Sequence, residues 1–244
     1  MPTASADASS GYIDSPSFFD TPDTSNTYSE FGYSLFDSNS GYLYSSSVGG
    51  RINERVTGRF SAYHFSLRRS NRILFGFGDF ALNLTFRAAG DSTGSSGIFL
   101  RSDIRLPSGS SSLQPFANRS FDGGGGVELR TGFSALKLKM AGTYTFAGER
   151  NAEGPYPHSN YIVLAASAGL NMGRLCLSVS GYNIRYRKSG ERRIMISELS
   201  GNIADNIKLA LAGGIEGAEE TERQYDTILS VRLSYAFPPP PSGE

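Results

Sequence analysis

Residues 227–237 read TILSVRLSYAF, and their alternation limits what the chain can become. Leu229, Val231, Leu233, Tyr235 and Phe237 fall on one face of an extended strand; Ser230, Arg232, Ser234 and Ala236 fall on the other. A continuous apolar face must meet either a protein core or lipid. In a soluble sandwich it points inward. In a membrane barrel it points outward, and Arg232 faces a lumen.

The same period of two recurs from about residue 27 to Phe237, broken by Gly, Ser, Asn and Pro clusters. It predicts strands near 27–36, 41–51, 56–67, 77–87, 97–106, 122–132, 134–146, 159–171, 174–186, 192–203, 206–217 and 226–237. Three segments show it best. In LKLKMAGTYTF (136–146), Leu136, Leu138, Met140, Tyr144 and Phe146 oppose Lys137, Lys139, Thr143 and Thr145. In LRSDIRL (100–106), Arg101, Asp103 and Arg105 oppose Leu100, Ile104 and Leu106. In IKLALAGGIE (207–216), Lys208, Ala210, Ala212 and Glu216 oppose Ile207, Leu209, Leu211 and Ile215. Helical periodicity is absent, and no apolar run reaches the ~18 residues of a spanning helix.

About twelve strands, an even number, several long enough for a tilted crossing, fit an all-β, antiparallel up-and-down transmembrane barrel. Connection lengths agree. Segments 68–76, 107–121, 147–158 and 218–225 are long, whereas 52–55, Phe133, 172–173 and 204–205 are short, as in barrels with short periplasmic turns and longer outside loops. Segment 88–96 is long on the short side, and 37–40 and 187–191 are short on the long side. Tyr144, Phe146, Tyr235 and Phe237 stand at strand ends, where interfacial aromatic girdles belong. The expected division is a flexible arm (1–26, rich in Ser, Thr, Asp and Pro), the barrel (27–237) and a Pro-rich tail (238–244).

Composition removes several functions. Net charge is zero, which gives no electrostatic hold on nucleic acid. The one cysteine, Cys176, excludes an intrachain disulfide framework. Two histidines, His64 and His158, are too few for a histidine-rich metal site, and no cofactor is expected. GFGD (76–79) lacks the GK[ST] and strand–loop–helix setting of a phosphate loop; glycine there reads as a bulge. GGGG (123–126) reads as a strained, flexible strand entry; Asp79 reads as a turn cap or a lumen-facing residue, the structural role being favoured.

GFGDFALNLTFR (76–87), IFLRSDIRLPSGS (98–110) and GGGGVELRTGFSALKLKMAGTYTFAG (123–148) together resemble a bacterial outer-membrane family, the transporters associated with the meta-pathway of phenol degradation. RINERVTGRFSAYHF (51–65), IADNIKLALAGGI and VRLSYAF extend the resemblance over roughly 50–237. It implies an outer-membrane barrel that passes small molecules, aromatic or apolar compounds among them. Two features depart from the family: no cleavable signal opens the chain, so it is read as removed or truncated, and PPPPSGE follows the terminal aromatic. Membrane lipid, the barrel-insertion machinery and a small solute are the expected partners.

Parity assigns Arg59, Arg87, Arg101, Asp103, Arg105, Glu128, Arg130, Lys137, Lys139, Glu198, Lys208, Glu216 and Arg232 to the pore lining. Nine are basic and four acidic, so the expected lumen is net positive and favours anions. The same groups could instead brace the barrel as arginine–carboxylate pairs. Two other readings stay open. A lipid-modifying barrel enzyme would need His64, with Ser61 and Ser66 near in sequence, as its base. A non-membrane β protein would serve in binding or structure.

Overall fold

The computed structural model describes residues 28–36, 41–69, 72–92, 94–110, 121–147, 160–187, 191–218 and 227–237. They form one antiparallel sheet of thirteen strands. The first seven are β1 (Tyr28–Phe36), β2 (Gly41–Arg51), β3 (Val56–Arg69), β4 (Arg72–Phe77), β5 (Phe80–Gly90), β6 (Gly97–Leu106) and β7 (Asp122–Phe133). The rest are β8 (Leu136–Phe146), β9 (Tyr161–Met172), β10 (Leu175–Tyr186), β11 (Glu191–Ala204), β12 (Ile207–Ala218) and β13 (Thr227–Ala236). From β5 to β13 each strand pairs with its successor, β13 pairs with β1, and β1–β2 and β2–β3 bring the ladder back to β5. The sheet therefore returns on itself. The arm 1–26, the tail 238–244 and His158 lie outside the described residues.

Strands β4 and β5 are two halves of one stave, which makes a twelve-strand up-and-down barrel. β3 pairs with β4 through His64↔Phe77 and with β5 through Ser61↔Ala81. The β4–β5 side thus carries one extra residue, a bulge at Gly78–Asp79. Hydrogen bonds fix it. Gly78 N donates to Tyr63 O at 3.0 Å, and Ser110 N to Phe77 O at 2.8 Å. The buried Asp79 carboxylate accepts from Gly109 N at 2.9 Å, while Phe80 N donates to Ser108 Oγ at 2.8 Å. The GFGD and LPSGS segments, distant in sequence, form one latch, which bears out the structural role of Asp79.

Three expectations need correction. Segment 68–76 is mostly strand: β3 runs on to Arg69 and β4 starts at Arg72, because RILFGF alternates Ile73, Phe75 and Phe77 outward. Segment 88–96 is shorter than expected, because β5 runs on to Gly90. There Asp91 accepts from Ser95 N (3.0 Å) and Ser96 N (2.8 Å), and Gly90 takes φ 127°, open to glycine. The β7–β8 connection is Ser134–Ala135 rather than Phe133, with Ser134 at φ 53°. A fourth concerns GGGG, which lies inside β7 and carries none of the positive φ values. A Cβ on Gly126 would run into the Gly142 carbonyl and come within 2.6 Å of Thr143 Cγ2, so glycine here serves close approach of β7 to β8.

The outer wall is apolar and bare. Leu129, Met140, Leu164, Met195, Ile215 and Leu229 are each at least half exposed. Tyr144 and Phe146 stack edge to face (4.7 Å) at the long-loop end, and Tyr235 and Phe237 (5.2 Å) at the short-turn end, two halves of an aromatic girdle. Buried apolar side chains gather instead on the inward face: Tyr161, Tyr182, Ile184, Tyr186, Ile194, Ile196 and Ile228 pack with Tyr63 and Ala81.

Candidate functional site: the lumen

Because side chains alternate, every second residue of each strand is delivered to the interior. On β6, β7 and β8 these are mainly charged. Glu128, 1 % exposed, is the hub. It takes Arg101 Nη1 at 3.1 Å and Lys139 Nζ at 3.4 Å, and Arg130 Nε contacts it as well. Arg101 also reaches Asp103 (3.8 Å), whose carboxylate accepts from Asn83 Nδ2 at 2.5 Å. The Arg130 guanidinium lies over the Phe99 ring at 4.0 Å. One buried carboxylate facing three cations leaves a positive surplus, because Asp103 offsets only part of it.

Two strands farther round the sheet, β11 to β13 carry two closed pairs. Arg192 Nε and Nη2 grip Glu216 at 2.5 and 2.9 Å, and Arg192 Nη1 donates to Tyr186 OH at 3.3 Å. Arg232 Nη2 meets Glu198 at 2.7 Å, spanning from β13 to β11 across β12. Register explains that reach: Ala212 and Ala210 are the β12 partners of Glu198 and Arg232, and their small side chains leave room above the middle strand. Fork-shaped pairing of this kind holds staves together more than it offers charge to a solute.

Between the pairs and the charged wall runs the apolar strip of β9 and β10, where Tyr161 and Tyr186 face each other at 5.7 Å between ring centroids. β11 continues it with Ile194 and Ile196. Tyr63 and Ala81 join the same cluster from β3 and β5. The interior is therefore divided by chemistry, charged on one arc and aromatic-aliphatic on the next.

Of the residues assigned to the lining by parity, Arg101, Asp103, Glu128, Arg130 and Lys139 come together, and Glu198 meets Arg232. Arg105 stands opposite Asp122 in register. Arg59 and Lys208 are half-buried, and Lys137 is exposed at the short-turn end. Arg87 is different: it donates to Asp91 O (2.6 Å) and Glu54 O (3.0 Å) and ties two turns together. Sequence reasoning passed over Arg192 and Asp122, although the parity of Glu198 on β11 and of Glu128 on β7 points to both. They add one charge of each sign, so the positive excess stands. His64 turns outward, edge-on to Phe75 (4.1 Å) and Phe77 (4.9 Å).

No protein-family model matches the sequence, and no curated protein matches it either. Solved structures do. An outer-membrane channel from Pseudomonas putida F1 superposes with a TM-score of 0.67 at 11 % identity, covering 92 % of this chain and 100 % of its own. The NanC porin gives 0.63 and the KdgM porin 0.60, each at 10 % identity over 86 % of this chain and 99 % of theirs. The fold is that of an outer-membrane β-barrel. Barrels of this fold stand in the bacterial outer membrane, and with that frame the bare apolar wall is a lipid belt.

Proposed function

We propose that the chain is a bacterial outer-membrane channel for passive passage of small molecules, and that aromatic or apolar compounds bearing a negative charge are favoured. The observation that carries this reading is the divided interior. Tyrosine and isoleucine side chains make the inward face of β9 to β11 apolar, and the arginines and lysine around Glu128 supply a positive field beside it. Twelve strands enclose a lumen between the packed interior of an eight-stranded barrel and the open channel of a sixteen-stranded one. In this reading the chain is not an enzyme, and its assembly uses the barrel-insertion machinery. The resemblance to transporters associated with phenol degradation fits an aromatic solute.

Planar-bilayer recordings of refolded protein in asymmetric salt test the proposal. Anions should carry more current than cations, and benzoate should pass better than an aliphatic carboxylate of equal size. A cation-selective channel overturns it.

A further inference from the structure

Across the outer wall, the strand side chains that the structure describes are apolar, small or uncharged, with one interruption. Arg185 on β10 and Glu191 and Arg193 on β11 share the outward parity of Leu177, Met195 and Leu199. Among the described outward strand side chains, these three are the only carboxylates, lysines or arginines, and His64 on β3 is the one other titratable base. Register puts them together: Arg185 pairs with Glu191, and Asn183 with Arg193.

The group is built as a unit. Glu191 accepts from Arg193 Nε at 2.7 Å, from Arg185 Nε at 3.3 Å and from Asn183 Nδ2 at 2.7 Å. Glu191 is 26 % exposed while Arg185 and Arg193 are 67 % and 73 % exposed. A shared carboxylate thus fixes two guanidinium groups through Nε, and their Nη groups stay open to a second anion. Exposed Arg187 follows on the same parity and adds to the positive excess.

Depth matters as much as charge. Arg185 pairs across β9 with Ile162, and the next outward pair holds Leu164. The arginines therefore sit at the upper margin of the apolar belt, at the end of the barrel where the longer connections lie. That end faces the outer leaflet when the short turns are periplasmic.

We propose that Arg185 and Arg193, organised by Glu191, form a binding site for the phosphate of a phosphorylated lipid headgroup in the outer leaflet. The site rests on the outer-membrane reading. Guanidinium forks suit phosphate oxygens, and the belt directly below takes the acyl chains.

The full chain, refolded into phosphatidylcholine bilayers with and without bis-phosphorylated lipid A, tests this by titration and by native mass spectrometry of retained lipid. Wild type should retain lipid A. Arg185→Gln with Arg193→Gln should weaken binding about thirtyfold, while conductance stays unchanged as the check on folding. Dephosphorylated lipid A should bind wild type no better than the intact lipid binds the variant. Equal retention of lipid A by wild type and a conducting variant overturns the site alone. Failure to insert into any bilayer overturns the outer-membrane reading and the site with it. Displacement of lipid A by inorganic phosphate at comparable concentration makes the ligand a free anion and overturns the lipid assignment.

Discussion

The arc β6–β8 and the arc β9–β11 face the same lumen with the same alternation, yet they carry opposite chemistry. On the first, inward positions hold Arg101, Asp103, Glu128, Arg130 and Lys139; on the second Tyr161, Tyr182, Ile184, Ile194 and Ile196 dominate, and the inward charges of β11, Arg192 and Glu198, are closed in ion pairs. Inward parity in a barrel thus decides which residues meet the lumen and leaves open what those residues are. The two arcs also fail differently. A charged wall depends on every partner being present, whereas an apolar wall loses energy in proportion to the atoms removed.

The sharpest way to break the contrast is Glu128→Ala. Three cations then lose their shared carboxylate, and stability should fall by about 3–5 kcal/mol, read by denaturant unfolding in lipid vesicles. On the other arc Ile194→Val should cost only about 0.5–1.5 kcal/mol. Equal losses would mean that the Glu128 cluster is hydrated enough to be worth little. Next comes the contrast of inside with outside: Leu233→Arg, on the lipid wall, should cost about 2–4 kcal/mol, and Ser234→Arg much less. The same titrations report it, and matching costs would invert the assigned faces.

A smaller effect tests the seam at the bulge. Asp79→Ala deletes the buried acceptor of Gly109 N and should cost about 1–3 kcal/mol, with Asp79→Asn recovering part of it. The finest test separates lysines that alternation alone treats alike. Lys137, exposed at the short-turn mouth, should move the reversal potential toward cations as Lys137→Gln, most at low salt, with stability unchanged. Lys139, buried 3.4 Å from Glu128, should lose stability as Lys139→Gln while selectivity moves less. The reverse pattern would place the conduction path at the Glu128 hub.

Much of this was legible in the sequence, for a physical reason. A strand with one lipid face must alternate, so β8 and β13 declare their orientation in LKLKM and TILSVRLSYA. Legibility fails where both faces are apolar. In RRIMISELS, Ile194 and Ile196 point in and Met195 points out, so hydrophobicity no longer labels the faces, and Arg192 escapes notice beside its neighbour Arg193. The bulge at Gly78–Asp79 is signalled by its glycine, but the extra residue shifts parity without changing composition, and residues 72–76 before it consequently read as loop. Pairing partners were beyond reach. That Glu216 takes Arg192, and Glu198 takes Arg232 over two small alanines, depends on register between strands, which no single segment encodes.

The pairing of β1 with β13 sets Tyr28 beside Ala236, residues near opposite ends of the sequence. Every other neighbouring pair of staves is joined by a local connection, so this contact carries almost the whole loop-closure entropy of the ring. Topology of that kind slows folding, since the distant contact is rewarded only after most of the chain is ordered. Until it forms, the growing sheet has two raw margins whose N–H and C=O groups are open to any extended chain. Assembly is therefore most exposed to error at its final step, when the margins at Tyr28 and Ala236 meet.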